Sequence, residues 1–184
     1  KASKKDKRIL FVNRLAPQKN ADMLIRAYAK LDKTVRDEYE LWIVGEGREK
    51  KNLENLAERL KVNAIFTGFI KKDEDVLRLM KKSEIFVLPS RRESLGLSVL
   101  EAMYCRCAVI STACDGPRDY IMPGNNGLLT EIGSEAQMTK ALERVTSESA
   151  LRKRVQKNAR MTAKGFDWDI IVSQIAKVYG SMLE

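Results

Sequence analysis

Short runs of apolar and β-branched residues recur at Ile9–Val12, Leu41–Val44, Ala64–Thr67, Ile85–Leu88 and Ala108–Ser111, and between them the apolar positions thin to a period of three to four. The continuous runs predict strands buried on both faces; the spaced ones predict amphipathic helices packed over them. Asn20 stands where it can cap a helix whose inward stripe is Leu24, Ala27, Tyr28 and Leu31. Further helices are expected over about 49–60 and 73–82. Strand and helix alternating through short connections predict an α/β fold: a Rossmann-like, doubly wound parallel sheet with helices on both faces. Ligands of such sheets bind beyond the carboxyl ends of the strands, where Arg14, Gly45, the Gly68–Ile70 segment and Glu93 all fall.

After Ser111 the pattern changes. Gly116-Pro117 and Pro123-Gly124-Asn125-Asn126-Gly127 mark turns around a short strand at Leu128 and Leu129. Extra helices finish the chain. Ser134 and Gln137 form a capping-box pair for a helix carrying Met138, Ala141, Leu142 and Val145, and a second helix runs from about Leu151 to a break at Gly165. Asp167-Trp168-Asp169 opens a final helix whose stripe of Ile171, Ile175, Val178 and Met182 reads, with Trp168, as core. One domain over 9–184 is expected, led in by a basic linker over 1–8, and a first residue that is lysine reads as a piece of something longer.

A net charge of +9, from 34 Lys and Arg against 25 Asp and Glu, points to an acidic partner: a phosphorylated small molecule, an anionic lipid or a nucleic acid. Pairs such as Lys50-Lys51, Lys71-Lys72, Lys81-Lys82 and Arg91-Arg92 are scattered, with few aromatics among them to stack bases. They argue against nucleic acid and read as solvated faces. No run approaches the ~18 apolar residues of a membrane span. Cys105, Cys107 and Cys114 lack zinc-ligand spacing and read as reduced, buried thiols of a cytoplasmic protein. With no histidine in the chain, a proton acceptor has to be a carboxylate or the substrate.

Two places carry chemistry. Arg14 and Lys19, on either side of a Pro-containing turn after the first strand, can clamp a diphosphate, the guanidinium bidentately and the ammonium as a point charge. A surface ion pair is the competing reading. Glu93 and Glu101 flank Gly96, and Glu101 is the only charge in the apolar stretch Leu97–Met103. A carboxylate buried there needs hydrogen-bond donors, which ligand hydroxyls can supply. Gly96 lets a ligand approach the backbone and the first free amides of the helix.

The run Pro89-Ser90-Arg91-Arg92-Glu93-Ser94-Leu95-Gly96-Leu97-Ser98-Val99-Leu100-Glu101-Ala102-Met103 resembles the Glu-x(7)-Glu signature of the retaining GT-B glycosyltransferases known as family 4. Glu93, Gly96, Leu97, Glu101, Ala102 and Met103 match; Ser94 and Leu95 replace the usual Gly-Phe, and Arg106 and Ala108 stand where Gly and Pro are common. The resemblance extends in order through Arg14-Leu15 and Lys19-Asn20, with Asn13 in place of Gly, then Gly45-Glu46-Gly47, Gly68–Ile70, Asp115–Ile121 and Asn126–Leu129. In it Asp119 replaces a common glutamate and reads as a helix-start carboxylate.

The resemblance implies the C-terminal, donor-binding half of a two-domain enzyme whose N-terminal acceptor domain is absent. Arg14 and Lys19 then hold the diphosphate, and Glu93 faces the sugar ring as an orienting group. Glu101 binds the ribose hydroxyls, while Gly45, Phe69 and Ile70 line the nucleotide pocket. The amides of Leu95, Gly96, Leu97 and Ser98 meet sugar and diphosphate. The donor implied is a nucleotide-diphospho-sugar, a UDP-sugar before GDP-mannose, used with retention and without cofactor or metal. The acceptor is a glycan or a lipid-linked glycan, with peripheral contact at the inner face of the cytoplasmic membrane by analogy. The departures at Asn13, Ser94, Leu95 and Arg106 keep open a non-catalytic nucleotide or sugar-phosphate binding module of the same fold.

Overall fold

The β-branched and apolar runs lie side by side as six parallel strands in the order β3-β2-β1-β4-β5-β6, in a computed structural model that describes residues 6–182. The strands are β1 (Asp6–Val12), β2 (Glu40–Val44), β3 (Ala64–Gly68), β4 (Ser83–Leu88), β5 (Ala108–Thr112) and β6 (Leu128–Thr130). Strand β1 is central, pairing Ile9 with Leu41 of β2 on one side and with Ile85 of β4 on the other. Chain order reverses between β1 and β4, so the loops after these two strands diverge and leave a crevice at their carboxyl ends. Ile9, Leu10, Phe11, Ile85, Phe86, Val87 and Leu88 are fully buried, as continuous apolar strands covered on both faces must be.

Helices α1 (Ala21–Ala29), α2 (Lys33–Glu38), α3 (Lys50–Arg59), α4 (Asp73–Lys82), α5 (Leu97–Tyr104), α6 (Asp115–Tyr120), α7 (Glu135–Ser147), α8 (Ser149–Lys164) and α9 (Trp168–Met182) connect and cover the sheet. Helix α1 packs on α3 and α7, and α5 packs on α4 and α8, which makes two helical layers. Among the described residues no helix is long and apolar enough to cross a membrane. Cys105, Cys107 and Cys114 are buried.

Several expectations need correction. The basic lead-in does not run to residue 8: Asp6, Lys7 and Arg8 already belong to β1, and residues 1–5 lie outside the described part. Arg8 is buried because its guanidinium lies 4.0 Å from the Trp42 ring centroid, where the ring face replaces solvent. Asn20 precedes α1 without capping it by its side chain, since its Oδ1 accepts from Arg91 Nε at 3.2 Å. Asp119 lies near the end of α6, and Asp115 takes the first turn instead.

The largest correction concerns α9, which buries none of its residues. Trp168 is 75% exposed, Val178 59% and Met182 74%, so the stripe is amphipathic as read but is not buried by the described residues. The helix before it behaves as expected, with Leu151, Val155, Ala159 and Ala163 buried. Ser134 caps α7 by accepting from Gln137 N, whereas the Gln137 amide turns away to accept from Glu131 N at 2.8 Å. Half of the capping box therefore forms. Ser134→Ala is expected to cost about 1 kcal/mol in urea denaturation, the usual value of one N-cap; no loss would mean that the cap is not holding α7.

Candidate functional site

Two cavities open at the carboxyl edge, on either side of the turn after β1. The larger, about 620 Å³, is walled by Arg14, Gln18, Lys19, Arg91, Arg92 and Glu93, with Ser94, Cys114, Asp115 and Ile132 completing it. The smaller, about 220 Å³, is formed by Val12, Asn13, Val44, Gly45, Glu46, Phe69, Ile70 and Val76. Arg14 borders both. A cationic cleft and a mainly apolar recess thus meet at one guanidinium.

The turn after β1 is fixed from several directions. Leu15 is buried, Leu15 N donates to Glu46 O at 2.8 Å, and a one-turn 3₁₀ helix at Pro17–Lys19 turns the chain so that Lys19 points toward the loop after β4. There Lys19 Nζ lies 2.6 Å from Glu93 Oε1, and Ser90 Oγ donates to the same oxygen at 2.8 Å. Both charged side chains are close to nine-tenths buried. Such a pair is strongly held by its Coulomb attraction but carries the desolvation of both ions, so an anion arriving beside Lys19 competes directly with Glu93. Lys19 is thus a member of an ion pair, largely buried and not on the surface, and also lines the cationic cleft.

Arg91 and Arg92 were read as part of a solvated face, yet they wall the cleft. Arg91 N donates to Gln18 O at 2.8 Å and Arg91 Nε to Asn20 Oδ1, tying the β4 loop to the β1 loop across the crevice. Their position one and two residues before Glu93, just past the end of a central strand, was the available signal. Tyr120 was missed as well. Its hydroxyl donates to Leu95 O at 2.9 Å and lies beneath Gly96. Burial, with the Glu93 carboxylate adding to it, pushes its pKa well up, so Tyr120 is a neutral donor that holds the glycine loop.

Gly96 adopts φ +74° before α5, and a Cβ there would sit 3.1 Å from Tyr120 Oη and 3.3 Å from Pro117 Cγ. Of this loop Ser94 lines the larger cavity, and no α5 residue lines either one. Leu95 and Leu97 are exposed, Ser98 is half-buried and Gly96 is buried. The larger cavity thus brings Arg14, Lys19 and Glu93 together and the smaller one Gly45, Phe69 and Ile70, while Leu95, Gly96, Leu97, Ser98 and Glu101 line neither.

Glu101 is not buried: it is exposed, and among the described residues its carboxylate has no hydrogen-bond or ion-pair partner. The need for donors inferred from burial does not arise. Enough protein still surrounds the carboxyl that desolvation, reinforced by the Asp73 carboxylate at the start of α4, raises its pKa. Because Asp73 follows Ile70 by three residues, Glu101 stands near the loop that closes the apolar recess. An acid whose folded pKa is raised loses stability as pH rises from its unfolded pKa through its folded one. Glu101→Gln is accordingly expected to gain thermal stability over the parent as pH rises above the ordinary carboxylate range and to keep that gain at neutral pH, with no difference at the acid end. An equal difference at all pH values would remove titration as the cause.

Among the described residues no group of three or more His, Cys, Asp and Glu side chains is arranged to hold a metal ion. The model of the family described as glycosyl transferases group 1 matches residues 1–162. The chain belongs to this family. As a group 1 glycosyltransferase it is 35% identical over 166 residues to the N-acetylgalactosamine-N,N'-diacetylbacillosaminyl-diphospho-undecaprenol 4-alpha-N-acetylgalactosaminyltransferase of Campylobacter jejuni, covering 89% of this chain and 44% of that protein. The apo form of the lipopolysaccharide outer core galactosyltransferase WaaB superposes with a TM-score of 0.84 at 26% identity, over 97% of this chain and 50% of that one. HepE of Anabaena, solved in complex with UDP-glucose, shares the fold with a TM-score of 0.82 at 24% identity, over 96% and 49%. This group 1 glycosyltransferase chain spans about half the length of these relatives.

Proposed function

We propose that this chain is the donor-binding half of a retaining, family 4 type glycosyltransferase that moves a sugar from a nucleotide-diphospho-sugar to a glycan or lipid-linked acceptor. The observation that carries the reading is Arg14, shared between an apolar recess and a cationic cleft. A nucleotide-diphospho-sugar has the same two-part chemistry: a flat, weakly polar base at one end and a charged diphosphate with a sugar at the other. Phe69 and Ile70 offer apolar surface to the base, and Arg14 and Lys19 offer charge to the diphosphate. The names of the Campylobacter and WaaB relatives support a lipid-linked or lipopolysaccharide acceptor, and UDP-glucose in the HepE crystals supports a UDP-sugar.

In the reaction the bond from the anomeric carbon to the diphosphate oxygen breaks, and its electron pair leaves with the oxygen. The acceptor hydroxyl bonds to the anomeric carbon on the same face, and its proton passes to the departing phosphate oxygen. Charge therefore grows on the diphosphate. Arg14 and Lys19, fixed before the reaction at the end of the central strand, stabilise that charge without reorganising and without a metal. For Lys19 to do so it must leave Glu93, and the freed carboxylate is then available to orient a sugar hydroxyl or face the positive anomeric centre. Glu101, exposed near the recess, supplies a carboxylate for the ribose hydroxyls.

The test is calorimetry of UDP against uridine. Arg14→Ala is expected to weaken UDP about tenfold to a hundredfold, the worth of a charge-assisted hydrogen bond, with little change for uridine. Equal losses for both ligands would place Arg14 on the base and break the clamp.

A further inference from the structure

Helix α8 distributes its charge differently from the rest of the chain. Its sequence, Ser149 to Lys164, contains Arg152, Lys153, Arg154, Lys157, Arg160 and Lys164 and no acidic residue, so it carries six of the nine net positive charges of the protein. Arg152 is spent internally, 3.4 Å from Glu84 and donating to Val145 O and Thr146 O, and Arg154 donates to Gly124 O at 3.0 Å while keeping its charge without a carboxylate partner among the described residues. With Leu151, Val155, Ala159 and Ala163 buried, the helical period turns the other five cations to the opposite side, about the line of Lys157. Lys153, Arg154, Lys157 and Lys164 are exposed, and Arg160, half-buried, lies over the Tyr104 ring at 5.3 Å.

Like charges three and four residues apart repel, and exposed helices ordinarily offset this with opposite charges at those spacings. This chain does so elsewhere, in Asp22–Arg26, Lys33–Asp37, Glu74–Arg78 and Arg144–Glu148. The outer face of α8 has no such pair. Its one large apolar member is Met161, 67% exposed among the cations, and Met122, 56% exposed, lies in the Met122–Asn126 turn that Arg154 and Asn158 grip through Gly124 O and Asn125 O.

We propose that the outer face of α8 is a docking surface for an anionic lipid bilayer. A straight row of cations about 17 Å long, from Lys153 to Lys164, with flexible stems, matches a plane of phosphate headgroups. Met161 and Met122 among the cations fit the acyl boundary just beneath. Nucleic acid suits the face less well, because no free ring, amide or hydroxyl lies among the cations to stack on or read a base. Asn158 is engaged with Asn125, and Tyr104 is covered by Arg160. The inference does not depend on which sugar is transferred, and it concerns a surface apart from both cavities.

The experiment is co-sedimentation of this chain with phosphatidylcholine vesicles, with and without a minority of phosphatidylglycerol. Binding is expected only to the anionic vesicles and to fall with added salt. The triple variant Lys153→Glu, Lys157→Glu, Lys164→Glu should lose at least about a hundredfold in partitioning. A control of equal charge change on the far side, Lys51→Glu, Arg59→Glu, Lys61→Glu, should keep most of it. The thermal shift produced by UDP, unchanged in both variants, establishes that each is folded. Equal losses in the two variants would mean net charge and no docking face; binding to neutral vesicles, or binding of a DNA duplex in place of vesicles, would likewise overturn the proposal.

Discussion

Lys19→Met is expected to destabilise the chain by about 2–3 kcal/mol, somewhat less than the roughly 3–5 kcal/mol that removing one partner of a fully buried pair costs. The discount follows from geometry: Glu93 keeps the Ser90 hydroxyl at 2.8 Å and about a tenth of its surface in water. Glu93→Gln releases the ammonium instead. It is expected to tighten UDP about tenfold, since the diphosphate no longer competes with a carboxylate for Lys19. The double variant should regain stability to within about 1 kcal/mol of the parent, because no charge is left without its partner, while UDP binding stays weak. In the enzyme with both halves joined, Lys19→Met should lower transfer by about a hundredfold to a thousandfold, the scale of one lost charge-stabilising contact. Additive single effects in urea denaturation, with no coupling between the two sites, would dismantle this account.

Gly45→Ala is expected to cost more than about 3 kcal/mol or to abolish nucleotide binding outright. The glycine holds φ +133° after β2, and a Cβ there would lie 1.9 Å from the carbonyl oxygen of Asn13. Neither atom belongs to a flexible side chain. The backbone after β1 must therefore retreat, taking with it the hydrogen bond from Asn13 N to Val44 O and the position of Arg14. Near-normal stability together with near-normal UDP affinity in this variant would show that the recess is not built as described.

The sheet was legible because five apolar runs are short and continuous, as strands are, and β1 to β5 formed where the runs stood, with β3, at the sheet edge, only partly buried. The place of the candidate site was legible at the strand ends, since the carboxyl edge follows from topology alone. The pairing of Lys19 with Glu93 was not, because 74 residues separate them and only the sheet order brings their loops together. Glu101 was misread through averaging. Its surroundings are apolar, yet Leu97, Glu101 and Tyr104, spaced i, i+4, i+7, form the solvent face of α5, with Leu97 66% and Tyr104 46% exposed. Two exposed apolar residues disguised that face as core. In α9 the period was right, but amphipathicity reports that a face needs cover and not which surface provides it.

The two ends of the site differ in how firmly they are mounted. Arg14 and Lys19 follow β1, which is paired on both sides at the centre of the sheet, so their loop moves only when the most stable part of the molecule opens. Phe69 follows β3, an edge strand, and is 69% exposed. Substitutions around Phe69 and Ile70 perturb few neighbours, while those around Arg14 propagate into the core. Under the proposed function, substitutions at the base end of the site should therefore be tolerated more readily than substitutions at its phosphate end.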